Sequence, residues 1–460
     1  MRMRKSCILF CTVMASEAAV AGGFALIEQG ASGLGNAYAG AAAVSADAST
    51  VWFNPAGMSE LKRPQLLVAG HIINVNSDFT DTGTTLNNSF GGGFVDPDFA
   101  NAGTTDAGGT AGLPNLYYVH PLKNGFTAGI GFSIPFGNST DYDDDWVGRY
   151  QATESSVVAL DINPSVSYIV NEYISIGGGV SLQYLDATLE SAIDTGATCL
   201  GLVTQGALPA DACVAAGLDT VGVQELDGQA SVEGDDISFS FNLGLLFKPR
   251  DGTKLGVAFR SGLDHEVEGT GEFVNNAAFQ AIIDGGLPLF TDTGATAEAS
   301  LPGTVMFSAA QLLGDKIELL ADATFTDWST LQELRLEFDG PQPDAFNTFE
   351  YEDAWRFSAG VNYKFNDQLT LRGGVAYDED PVPSVELRTP RIPGNDRTWI
   401  SFGFGYAFNK KVGLDFGFTH ISVDDTPIAN VSETPGGTTL RGIFDTDANI
   451  LSAQFNVQFD

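Results

Sequence analysis

Residues 451–459 read Leu-Ser-Ala-Gln-Phe-Asn-Val-Gln-Phe. Leu451, Ala453, Phe455, Val457 and Phe459 alternate with Ser452, Gln454, Asn456 and Gln458, a period of two. Side chains of a strand point alternately to opposite faces, so this stretch is a strand with one apolar and one polar face. The pattern recurs upstream. Ile400, Phe402, Phe404, Tyr406 and Phe408 alternate with Ser401, Gly403, Gly405 and Ala407, and Val412, Leu414, Phe416 and Phe418 follow suit. Similar runs span 126–136, 158–170, 174–184, 237–247, 355–365 and 369–377. A soluble β-sandwich would turn the large residues inward. Two features favour the inverse, with apolar side chains facing lipid. The small face is too rich in glycine for a merely solvated surface, and aromatics gather near the strand ends, as in membrane-barrel girdles.

Short turns fall at 123–125, 171–172, 249–252, 314–315, 366–367 and 409–410, built from Asn, Gly, Asp and Pro. Long polar connections lie at roughly 80–111, 137–152, 190–228, 270–296, 340–350, 379–395 and 425–446. Six turns interleaved with seven loops require about fourteen antiparallel strands with both ends on one side. The expected fold is therefore all-β, a 14-stranded antiparallel transmembrane β-barrel. A bore of that size lies between one filled by side chains and an open aqueous channel. Something must occupy it, and residues 22–61, GGFALIEQGASGLGNAYAGAAAVSADASTVWFNPAGMSEL, have the composition for it. Such a density of Gly, Ala and Ser builds no core of its own but packs closely against a surrounding wall. Pro55 disfavours a helical Asn54, so the chain should bend there.

The 460-residue chain has a formal net charge of −36. Residues 1–21 read as a secretory signal: Arg2, Arg4 and Lys5, an apolar run from Cys7, then Ala19-Val20-Ala21 as the cleavage site. Its loss would leave the remainder more acidic by two charges. The expected division is signal 1–21, hatch 22–63 and barrel 64–460. No later segment has the ~20 apolar residues of a membrane helix, as expected of a barrel whose strands average to neutral hydropathy. The acidic balance argues against a nucleic-acid partner. Cys199 and Cys213 share one loop and, in an oxidising compartment, should form a local disulfide. Two thiols without a nearby histidine make a poor metal site. The acidic run at Asp141, Asp143, Asp144 and Asp145 lacks the glycine turn of a calcium loop and reads as a solvated loop. Gly33-Leu34-Gly35 has no third glycine and no preceding strand, so it is not a dinucleotide loop. His71, His120, His265 and His420 form no pair with a nucleophile, and no enzyme, cofactor or metal is expected.

The segment F-A-L-x-E-Q-x-A-S-G-L-G-N-A-Y-A-G, then D-A-S-T-x-x-x-N-P-A-G, resembles the N-terminal hatch of the FadL/TodX family of outer-membrane transporters for hydrophobic compounds. The resemblance continues at Asp145-Trp146-Val147-Gly148-Arg149-Tyr150, at Trp355-Arg356-Phe357, along 371–383 and through R-x-x-R-I-P-G-N-D-R-T-W from Arg388. It implies that Phe24, at the mature N-terminus, reaches into an internal pocket. It further implies an inward kink of the third strand, with Asn54, Pro55 and Ala56 facing Gly129, Gly131 and Pro135 beside a side opening. From the residues alone, Pro135 either ends its strand or sits in a bulge.

Arg260, Arg356 and Arg372 fall on the small, inward phase of their strands, and Arg397 stands just before one. Two roles are open to them: pairing with acidic groups of hatch or wall, or holding a ligand carboxylate, for which the planar guanidinium is suited. Loop 277–290, with Phe279 and Leu289, offers apolar surface for first contact. The expected function is passive uptake of long-chain fatty acids or related molecules by a monomer set in outer-membrane lipid and lipopolysaccharide. Release would be lateral, into the membrane. Uptake of aromatic hydrocarbons, a porin for polar solutes and a surface adhesin are the alternatives.

Overall fold

The computed structural model describes residues 23–86, 94–95, 99, 105–432 and 437–460. The signal reading of residues 1–21, and Gly22, lie outside the described residues. Fourteen long antiparallel strands form one closed sheet. They are β1 (Gln65–Asp81), β2 (Gly109–Pro121), β3 (Phe126–Asp141), β4 (Glu154–Ile169), β5 (Ile174–Ile193) and β6 (Gly228–Arg250). Then come β7, in two pieces (Thr253–Arg260 and Leu263–Val274), and β8, also in two (Thr293–Leu301 and Thr304–Leu313). The rest are β9 (Ile317–Thr326), β10 (Ala354–Lys364), β11 (Leu369–Asp378), β12 (Arg397–Ala407), β13 (Val412–Val423) and β14 (Thr438–Gln458). β14 pairs with β1 from Gln65↔Gln458 to Asp81↔Gly442, which closes the barrel.

All six short turns join consecutive strands, each for a local reason. Asn124 and Gly125 adopt positive φ (60° and 83°). The side chains of Asn171, Asn366 and Asn409 each accept hydrogen bonds from backbone N–H groups two and three residues on. The inversion is plain in β14, where Phe455 is 53% exposed and Gln454 is fully buried. Outward Phe239, Phe402 and Ile72 behave as Phe455 does. Inward polar groups bond to one another, as in His71 with Ser452 and Ser401 with Thr419.

Residues 23–61 lie inside this wall. Three one-turn helices, α1 (Ala31–Leu34), α2 (Ala41–Val44) and α3 (Thr50–Phe53), precede a 3-10 turn, Pro55–Glu60. α1 touches β12, β13, β14 and β1; α2 touches β7 and β8; the 3-10 turn touches β2 to β6. Asn36 lies against Gly360 of β10 and Gly374 of β11, and Ala39 packs with Leu320 of β9. The segment therefore meets the wall on every side. Glycine permits the approach: a Cβ on Gly403 would stand 2.7 Å from the Cα of Gly35. Asn54 is extended (φ −160°, ψ 102°), as a residue before proline prefers. Its side chain accepts from Ala56 N (3.0 Å) and donates to the carbonyls of Ala42 (2.7 Å) and Leu245 (3.0 Å), which pins the bend to β6.

β3 breaks the regularity. Its ladder with β2 stops at Leu116↔Phe132, although β2 begins at Gly109 and β3 runs on to Asp141. Against β4 the register slips by one residue between Ser133 and Phe136, a bulge that contains Pro135. Proline has no N–H to lose there, and the strand continues past it, so the bulge reading of Pro135 holds. The displaced stretch pairs instead with the leading segment: Leu26 N donates to Pro135 O (2.7 Å), Gly137 N to Phe24 O (3.0 Å), and Gln29 Nε2 to Ile134 O (3.1 Å).

At the loop end, α4 (Thr195–Thr204), α5 (Ala212–Ala216) and α6 (Ala277–Asp284) share a small apolar core.

Candidate functional site

A largely apolar cavity lies between the leading segment, the upper parts of β4–β8 and the segments at 331–349 and 391–392. Val157, Leu185, Val267, Ala297, Leu301, Leu334 and Phe349 line it, together with Phe24. The Phe24 ring sits 5.2 Å from that of Trp328 and 5.9 Å from that of Phe136. Gly23 (φ 65°) lies flat on the Trp328 indole, where any Cβ would overlap the ring.

Arg391 brings the cavity a cationic group. Nη1 donates to Ser155 Oγ (2.7 Å) and Glu154 O (3.0 Å), Nη2 donates to Glu190 O (3.1 Å), and Nε has no partner. Among the described residues no carboxylate forms an ion pair with it. Burial pulls its pKa down to about 10, so it is still charged at neutral pH. Its turn is rigid. Arg388 pairs with Asp380 (2.9 Å) and donates to Gly394 O and Pro427 O, and Tyr142 Oη donates to Pro390 O. Arg388 thus anchors the R-x-x-R-I-P motif, while Arg391 and Ile392 face the cavity. Sequence reading quoted this motif without singling out Arg391; the signal was an arginine before a proline-stiffened turn. Glu233 also borders the cavity.

The four arginines expected at the ligand do not line this cavity. Arg260 lies 3.6 Å over the Trp52 ring and donates to Trp52 O and Ser181 Oγ. Arg356 donates to Ala37 O (3.0 Å), Arg372 pairs with Asp415 (2.7 Å), and Arg397 approaches Asp378 (3.7 Å). Arg260 and Arg356 therefore tether the leading segment through its carbonyls, not through acidic side chains.

Two further placements differ from expectation. Asn54, Pro55 and Ala56 lie against Gly177 of β5 and Gly244 of β6, because the Asn54 amide is drawn to Leu245 O. Gly129 and Gly131 face Val51, with Met58 against Gly129, and Pro135 faces Leu26. Phe279 is not surface for first contact. It is fully buried in the core of α4, α5 and α6, while Ile282, Leu287, Leu289 and Phe290 around it are half-buried.

Cys199 and Cys213 are joined across a separation of 14 residues. Closing so short a loop contributes ~3 kcal/mol to local stability. Replacing both with serine is expected to leave the barrel folded and to speed protease cleavage within 195–226 at least tenfold, read by limited digestion.

A closed barrel with lipid-facing aromatics, an occupied bore and an apolar internal cavity defines an outer-membrane protein that handles hydrophobic compounds. Residues 12–459 match the family model of the outer membrane protein transport protein (OMPP1/FadL/TodX). Outer membrane protein P1 of Haemophilus influenzae is 30% identical over 434 residues, covering 91% of this chain and 90% of that protein. The long-chain fatty acid transport protein of Escherichia coli O6:H1 is 29% identical over 425 residues, with coverage of 91% and 90%. Among solved structures, a Pseudomonas aeruginosa FadL homologue superposes with a TM-score of 0.82 at 24% identity, over 95% of this chain and all of that one. The Pseudomonas putida toluene transporter TodX gives 0.63 at 18%, over 90% and 94%. The chain belongs to the OMPP1/FadL/TodX family of outer-membrane transport proteins.

Proposed function

We propose that the protein takes up long-chain fatty acids passively, binding the chain in the cavity and the carboxylate at Arg391, and releases them sideways between β2 and β3. The observation that carries this is a buried guanidinium without an ion-pair partner among the described residues, at the edge of a largely apolar cavity whose other charged lining residue is Glu233. Each methylene moved from water into such a site contributes about 0.8 kcal/mol, so a dodecyl chain supplies roughly 9 kcal/mol at most. Supporting the lateral step, β2 and β3 are unpaired along Gly109–Asn115, and the freed edge of β3 is held by residues 24–29. Phe24 lines the cavity and belongs to that same stretch, so a ligand that displaces Phe24 also loosens the contacts at Pro135 and Gly137. Residues 22–63 then act as the hatch.

The test compares dodecanoate with dodecanol on purified protein by calorimetry. A charge-assisted hydrogen bond contributes about 1.5–3 kcal/mol. Arg391→Gln should therefore weaken dodecanoate roughly 10- to 100-fold and leave dodecanol within a factor of about three. Equal loss for both, or no loss for the acid, would reject Arg391 as the headgroup site.

A further inference from the structure

The two ends of the barrel differ in charge. Every lysine beyond Lys5, eight in all, lies at the end that carries the short turns, although the whole chain has a net charge of −36. Five cations gather on one side of that end, where the barrel closes. Lys410 and Lys411 stand in the β12–β13 turn, Lys62 and Arg63 precede β1, and Lys123 stands in the β2–β3 turn. Backbone bonds tie the closing strands together there: Gln458 N donates to Lys411 O (2.7 Å), and Phe459 N donates to Pro64 O (2.9 Å). The strands are consecutive around the wall, since β14 pairs with β13 and β1, and β1 with β2. The cations therefore form one patch.

All five are exposed. Lys411 pairs with Asp460, which also lies in the field of Arg63, and Lys62 Nζ donates to Ser59 O (2.8 Å). Among the described residues Lys62, Arg63, Lys123 and Lys410 enter no ion pair. Glu60, two residues before Lys62, is taken by Lys248 (2.7 Å) and Lys254 (3.6 Å). Asp460 and the final α-carboxylate are the anions within the patch, which leaves an excess of three positive charges. The next acids along the rim are Glu172, between β4 and β5, and Asp367, between β10 and β11. Asp367 is already held by Lys364 (3.0 Å).

Directly beside the cations the wall is apolar and open to lipid. Leu122, Phe126, Phe408 and Phe459 are all exposed. Two ring pairs, Phe126–Tyr168 at 4.6 Å and Tyr406–Phe408 at 5.2 Å, stand at the same strand ends. Aromatic residues in this position mark the boundary between hydrocarbon and headgroups. The charged groups thus stand at headgroup level, and their aliphatic stems can lie along the apolar rim.

We propose that this patch binds an anionic phospholipid of the periplasmic leaflet. Its phosphate would be held by Lys62, Arg63, Lys123, Lys410 and Lys411, and its chains would lie on the apolar rim. Short turns of outer-membrane barrels face the periplasm, and the leaflet on that side is phospholipid. A phosphodiester suits both the point charge of lysine and the planar donors of Arg63. Clustered basic groups at a membrane surface select anionic lipid, each cation adding to the attraction. A zwitterionic lipid carries its own ammonium beside the phosphate and gains little. A soluble acidic protein would meet the charges but has no use for exposed Leu122 and Phe408 beside them. Lys123 belongs to the turn that joins β2 to β3, so the bound lipid would stand beneath the gap between those strands. Its binding is independent of what the cavity takes up.

The test is native mass spectrometry of the purified protein in a non-ionic detergent, titrated with dioleoylphosphatidylglycerol or with dioleoylphosphatidylcholine. The first bound lipid is expected to show an apparent Kd at least fivefold lower for the glycerol lipid. Changing all five cations to glutamine should bring the two lipids within twofold of each other. Lys316→Gln with Lys364→Gln, at the β8–β9 and β10–β11 turns, should keep the wild-type preference. Heat-dependent gel migration checks that each barrel is folded. Should the fivefold variant fail to fold, Lys123→Gln with Lys410→Gln, both on exposed turns, carries the test and should lower the preference at least twofold. Equal affinity of the wild type for the two lipids would overturn the proposal and leave the patch to a soluble acidic protein. A preference that survives in the patch variants, or that falls as far in the Lys316 and Lys364 control, would overturn it as well.

Discussion

Ala297→Trp is expected to reduce dodecanoate binding about a hundredfold without unfolding the barrel. Ala297 lies on β8, in register with Val267 of β7, and both line the cavity. Ala297 packs beside Val267 and Leu301 but borders the cavity, so an indole at this position has room on the cavity side and the cost of overfilling the core is reduced. It takes the place of ligand chain. Displacing about four methylenes at ~0.8 kcal/mol each forfeits roughly 3 kcal/mol, or two decades in affinity. Calorimetry with dodecanoate measures the loss, with Ala297→Val as the mild control. If the tryptophan variant binds as the wild type does, the ligand site is elsewhere.

Deleting Pro135 is expected to lower fatty-acid uptake at least tenfold while binding stays within about threefold. The bulge adds one residue to β3 between the pairs Ser133↔Asp161 and Phe136↔Ala159. Removing that residue restores a continuous β3–β4 register. It also frees the upper part of β3 to pair with Gly109–Asn115 of β2, closing the gap through which the ligand would leave. Sheet hydrogen bonds formed in the membrane interior favour the closed wall, because no water there competes for the backbone groups. Uptake is read with radiolabelled oleate in cells lacking other routes, and binding with the purified protein. Undiminished uptake would sink the lateral route and leave passage along the barrel axis.

The two experiments separate capture from release. The first acts on residues far from the β2–β3 gap; the second leaves the cavity lining of β5–β8 untouched. A single-file polar channel would respond to neither in this pattern.

The barrel was legible in the sequence, down to its strand number and its turns. The relevant signals are local: alternation with period two, and Asn or Gly where the chain must reverse. Asn171 capping Tyr173 and Ile174 is one such signal, complete within four residues. The site was legible only in part. Phe24 was placed through family resemblance, while the residues around Pro135 left a strand end or a bulge open; each stands where the leading segment meets β3. Arg391 was passed over, although its motif was noticed, because nothing nearby in the chain marks it as facing a cavity. Its partners Ser155 and Glu190 are about two hundred residues away.

By itself, then, the sequence determined a lipid-facing barrel of fourteen strands with a small-residue segment to fill it, since strand phase and turn chemistry depend on immediate neighbours. Only the tertiary structure decided which arginine reaches the cavity, and that Asn54 to Ala56 meet Gly177 and Gly244 instead of the kink. Those contacts depend on how the barrel closes and how the leading segment turns within it, and residues more than a hundred positions apart meet only once both have happened.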